Sequence, residues 1–158
     1  MTLAETLQAR LADWKPAGAG RHTWQHTFAD HGWAAHLAVD AADVVGCKVW
    51  ELTLARVGEP PTGLTQRQWA DRIAARVSGL MEPLKVLEVD ATRDQTVLRS
   101  DGPTVRGADV LYYEVTLHGL TRAVVRRYQG SKATPGREQV AFAVTHEALA
   151  KLAGDIAS

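Results

Sequence analysis

Two hydrophobic periods share this chain, and the place where one gives way to the other constrains the fold more than any other feature. Gly58-Glu59-Pro60-Pro61-Thr62-Gly63 is the strongest breaker in the sequence, and directly behind it the apolar residues fall at helical spacing. Thr65 with Gln68 forms a capping box, and Leu64 and Trp69 occupy the two positions of a hydrophobic staple. Trp69, Ile73, Val77 and Leu80 then line one face, with Arg67, Asp71, Arg72 and Arg76 turned largely to water. A helix therefore starts at Thr65, and Pro83 marks its end.

On both sides of that helix the period is two. His22, Trp24, His26 and Phe28 alternate with Thr23, Gln25 and Thr27; after Asp30-His31-Gly32 the apolar set continues as Trp33, Ala35, Leu37 and Val39, which reads as a hairpin. A third strand, from about Val44 to Arg56, is apolar in both phases: Val45, Cys47 and Val49 in one, Trp50, Leu52 and Leu54 in the other. Either both its faces are covered, or a bulge near Val49 switches the phase. The second half predicts strands over Leu84 to Asp90, Gln95 to Ser100, Asp109 to Leu117, Thr121 to Tyr128 and Glu138 to Val144. His118-Gly119 is a tight hairpin signal, and Ser100 to Gly107 and Gln129 to Gly136 read as loops. At the ends, Thr2 and Glu5 cap a helix through Leu3, Leu7, Leu11 and Trp14, and Thr145 caps a last helix through Leu149, Leu152 and Ile156.

Short connections favour antiparallel pairing over crossovers. The expectation is one α+β domain over residues 1–158, an antiparallel sheet of seven to eight strands in the order α-βββ-α-ββββ(β)-α, with the helices packed mainly on one sheet face. A chain of 158 residues, 46% hydrophobic and 23% charged, is long enough to bury its own core. Lys plus Arg number 18 and Asp plus Glu number 18, so no global field steers the chain to nucleic acid or an anionic membrane, although a local basic patch stays open. No run approaches the ~20 apolar residues of a membrane span. Met1 to Trp14, with Glu5, Arg10 and Asp13, lacks the apolar core of a signal peptide, and the single cysteine, Cys47, has no intrachain partner; both predict a cytoplasmic protein.

The histidines of the first hairpin raise a metal site, with His22, His26 and His36 as candidate ligands. Register decides against it. Pairing even positions with odd gathers Trp24, Phe28, Trp33, Leu37 and Val39 on one face and sends His26 and His36 to opposite faces. His22 and His26 share a face but stand ~13 Å apart along the strand. His146-Glu147 opens like a zinc-protease motif, yet Ala150 stands where the second histidine is required, so Glu147 reads as a helix-start residue. Ser78, Ser100 and Ser131 lack the glycines of a nucleophile elbow, and Cys47 lies in an apolar phase that suits a buried thiol. Arg122, Arg126 and Arg127 near Tyr112, Tyr113 and Tyr128 can form an anion or single-strand surface, with Glu114 on the partner strand able to pair with one of them.

With no catalytic motif and no cofactor signature, the leading expectation is a small non-enzymatic protein-binding or chaperone-like module. A partner protein, or a second copy in a homodimer, would cover the two-sided apolar strands. One alternative is a small-molecule site or enzyme with a pocket between the sheet and helix 65–80, lined by Trp50, Trp69, Tyr112, Arg122 and Arg126. Another is a metal-dependent enzyme using the hairpin histidines. The element order resembles that of the bacterial secretion-chaperone-like proteins, small dimeric binding proteins; the likeness lies in the order of elements, without a residue motif, and this chain has extra strands in its second half.

Overall fold

The computed structural model describes residues 1–158, and each of its three helices starts where a side chain satisfies free backbone N–H groups. In α1 (Leu3–Asp13) the Thr2 Oγ1 accepts from Glu5 N at 3.1 Å while Thr2 N donates to Glu5 Oε2 at 2.8 Å. The same reciprocal cap joins Thr65 and Gln68 at α2 (Gln66–Arg76), and Thr145 caps α3 (His146–Ala157) through Ala148 N. Leu3, Leu7 and Leu11 of α1, Trp69 and Ile73 of α2, and Leu149, Leu152 and Ile156 of α3 are the buried anchors. The middle helix is shorter than its apolar spacing predicts. It ends at Arg76, and Val77 and Leu80 reach the core from an irregular segment. Ser78 and Gly79 are weak helix formers, and the irregular backbone carries Glu82 inward.

Ten strands form one antiparallel sheet: β1 (His22–Phe28), β2 (Trp33–Ala42), β3 (Gly46–Arg56), β4 (Leu84–Asp90), β5 (Gln95–Ser100), β6 (Thr104–Arg106), β7 (Asp109–His118), β8 (Arg122–Ser131), β9 (Arg137–Val140) and β10 (Phe142–Thr145). The main order is β1-β2-β3-β8-β7-β5-β4. The predicted total is exceeded for two reasons. The segment read as a loop after Ser100 folds back as β6 on β7, and the single strand predicted over Glu138 to Val144 is split at Ala141. That split belongs to a fork. β3 pairs with β8 only over Leu52–Ala55, then the two diverge; the chain enters the gap along β8 as β9 and leaves along β3 as β10. At the fork Gln139 Nε2 donates to the Trp50 carbonyl at 2.8 Å. Gly46 closes the far end, where a Cβ would collide with the Val144 carbonyl oxygen.

The two-sided pattern of β3 is resolved by a bulge. Ala38 faces Glu51, but Val39 faces Val49, leaving Trp50 as the extra residue; Asp40 is the matching extra residue on β2. Val49 and Cys47 thereby join Leu52 and Leu54 on the same face, where all four are buried. In β4 the irregularity falls at Leu87. Leu37, Val39, Leu98, Val115, Leu117 and Val125 complete that face, and α1, α2 and α3 cover it as one core. Val45, by contrast, sits exposed in the β2–β3 turn.

One charged pair lies inside this core. Arg127 Nη1 donates to Glu82 Oε1 at 3.1 Å with both side chains 5% exposed. Ser100 Oγ and Thr104 Oγ1 also donate to the Glu82 carboxylate, and the Arg127 guanidinium lies 4.1 Å from the Tyr113 ring centroid. Arg127 is therefore a fastener for the segment after α2, not part of a surface with Arg122 and Arg126. No helix is long and apolar enough to cross a membrane.

Candidate functional site

The sheet face opposite the helices carries the polar phase of every central strand. From β8 it receives Arg122, Val124, Arg126 and Tyr128, which face His118, Thr116, Glu114 and Tyr112 of β7. β5 adds Arg99 beside Glu114, β3 adds Glu51 and Thr53, and β9 adds Arg137. Small residues floor the middle of the face and long ones rim it, leaving a hollow of about 440 Å³. A second groove of about 560 Å³, over Thr23, Gln25, His36 and Ala38, adjoins it across Glu51.

Glu114 organises the hollow. Its carboxylate accepts from Arg99 Nη2 at 2.8 Å and, bidentately, from Arg137 Nη1 and Nη2 at 3.0 and 3.2 Å. Burial pushes the Glu114 pKa up, but the hydrogen bonds and charges of Arg137 and Arg99 outweigh it and hold the carboxyl below its ordinary value. Arg137 also donates to the Tyr112 hydroxyl at 3.1 Å and lies 3.8 Å from the Tyr128 ring centroid, while Arg99 lies 4.9 Å from that of Tyr112. Across the hollow, Arg126 Nε donates to Glu51 Oε2 at 2.8 Å. Burial, with Arg122 and Arg126 nearby, lowers the His118 pKa, so that imidazole is neutral at pH 7. Around the hollow four guanidinium groups thus share two carboxylates, a local excess of two positive charges in a chain of zero net charge; Lys85, Glu88 and Asp90 of β4 lie on the same face, farther out beyond β5. Arg122, at the rim, is exposed.

Of the five residues predicted to line a ligand site, the structure brings three together. Tyr112, Arg122 and Arg126 share the open face. Trp69 does not join them: it is 1% exposed, donates from Nε1 to the Ile156 carbonyl at 3.1 Å and packs on Trp33. The space expected as a pocket between α2 and the sheet is filled by Trp69 and Ile73. Trp50 occupies the bulge, under the guanidinium of Arg21, which Asp40 holds. The hairpin histidines do not converge either. His26 pairs with Ala35 and His36 with Gln25, which puts them on opposite faces; His22 contacts the Gly18 carbonyl, and His26 packs between Trp24 and Phe28.

Arg99, Glu51 and Arg137 were absent from the predicted site. Arg99 was findable, because Gln95, Val97 and Arg99 alternate against Thr96, Leu98 and Ser100. Arg137 was not, since it follows a loop and its strand exists only because β3 and β8 part. Comparison of the chain with protein-family models, with curated proteins and with solved structures found no match.

Proposed function

We propose that the chain is a non-enzymatic binding module that holds an acidic segment of a partner protein against the open face of its sheet. The reading rests on one observation: a hollow on the helix-free sheet face is bordered by Arg99, Arg122, Arg126 and Arg137, with Glu51 and Glu114 the carboxylates among them. Both carboxylates are engaged by arginines and so serve to orient guanidinium groups. A nucleic-acid backbone, charged at every residue, would lay phosphates over Glu51 and Glu114, whereas a peptide can place its acids only where the arginines are. The bulge at Trp50 returns Val49 and Cys47 to the chain's own core, so β3 offers no second apolar face to another copy.

Fluorescence anisotropy with a labelled oligoglutamate peptide tests this. Saturable binding is expected, weakened roughly tenfold or more in an R122A/R126A variant of unchanged fold. A wild-type protein that ignores the peptide, or that binds oligo-dT more tightly, overturns the reading.

A further inference from the structure

Beside the hollow, the turn from β8 to β9 borders a shallow, open cleft of about 470 Å³ whose wall holds three cations and no carboxylate. Arg99, Lys132 and Arg137 line it with Tyr112 and the hydroxyl residues Ser131 and Thr134. Asp109 and Glu138 line an adjoining hollow that shares Ser131, Thr134 and Arg137 with the cleft, and their strand register turns their own side chains to the opposite sheet face. Glu114 lies behind Arg99 and Arg137 and takes hydrogen bonds from both. Ring contacts with Tyr112 and Tyr128 further restrain the two guanidinium groups. Little side-chain entropy then remains to be lost when an anion arrives. With Glu114 counted against the three cations, the cleft carries two positive charges.

We propose that this cleft is a subsite for a phosphoryl monoester, carried by a phosphorylated serine or threonine of the acidic partner segment; the proposal rests on the binding reading above and names the modification that its partner bears. A phosphoryl monoester carries about −1.5 to −2 charges at neutral pH and three acceptor oxygens, which matches two excess charges and the arginine forks better than the single charge of a glutamate does. Arg137 lines both the cleft and the hollow, so one extended segment reaches both.

The test uses three labelled acidic peptides that differ at one position: serine, phosphoserine or glutamate. The phosphoserine peptide is expected to bind roughly tenfold more tightly than the serine peptide, with glutamate between them. K132A, at an exposed turn position, is expected to lose most of that preference while binding the serine peptide as wild type does. R137K, which keeps the charge without the fork, reduces the preference by a second route. Equal affinity for the serine and phosphoserine peptides overturns the subsite and leaves the acidic-partner reading standing. If no peptide binds, that reading falls, and inorganic phosphate titrated into the isotope-labelled full chain decides the subsite. Amide shifts confined to Gly130–Arg137 and abolished by K132A support a free-phosphate source, and no shifts overturn the phosphoryl site.

Discussion

Glu82 and Arg127 show what a single residue does to a core of this size. Each is 5% exposed, so removing one leaves the other's charge buried without its counter-ion. Glu82→Ala is expected to cost about 3–5 kcal/mol in chemical denaturation. An apolar pair at both positions should recover most of it, since two uncharged groups need no counter-ion. A loss below about 1 kcal/mol for Glu82→Ala would show that the segment after α2 is not fastened there. Glu114 is the second informative residue, because its carboxyl is held below its ordinary value of 4.5. Such a group binds its proton less readily in the folded chain, so the stability it lends is complete above pH 4.5 and is lost as pH falls through the lower folded value. Glu114→Gln should be less stable at pH 7 and decline less steeply than wild type as pH falls below the ordinary carboxyl value. Parallel declines in thermal melts of the two proteins would contradict that assignment.

At the scale of elements, the bulge and the fork are one feature. Trp50 is the residue that switches the phase of β3, and β3 leaves β8 at the same point. A carbonyl released from the ladder there needs a donor, and Gln139 supplies it from β9. Gln139→Ala should therefore destabilise by about 1–3 kcal/mol, the cost of an unsatisfied partly buried acceptor. The loosening should be local, so amide exchange would rise in β9 and β10 while β7 stays protected; a uniform rise would mean that Gln139 contributes only to overall stability. The bulge was one of two readings legible in β3, because Val49 and Leu52 are both apolar, out of phase, and too close for two strands. The fork was not legible, because the pairing of β9 with β8 and of β10 with β3 is set by where two distant strands part, and no local spacing records that. The shortened α2 has a similar origin. Val77 and Leu80 fit helical spacing, but what pulls the segment open is Glu82 meeting an arginine 45 residues away.

For the whole molecule, the decisive fact is that charge is balanced overall and segregated locally. Equal totals of 18 acidic and 18 basic residues conceal a hollow whose four arginines share two carboxylates, and only the register of β3, β5, β7, β8 and β9 puts them together. The one-sided helical core was legible from periodicity, while the site on the other face depended on which strands are neighbours. Because that face is open, its attraction for an acidic peptide acts partly through water and is screened by salt. Raising salt from 0.1 M to 1 M shortens the screening length from roughly 10 Å to roughly 3 Å. Arg122 is exposed at the rim and should be silenced by that change, whereas Arg126 and Arg137, restrained by carboxylates and a ring, should retain part of their contacts. Peptide affinity is therefore expected to fall by roughly an order of magnitude over this range without vanishing. The R122A variant should fall less than wild type, since the contact that salt removes is already absent from it. Equal salt dependence in the two proteins would place the binding energy elsewhere than on this face.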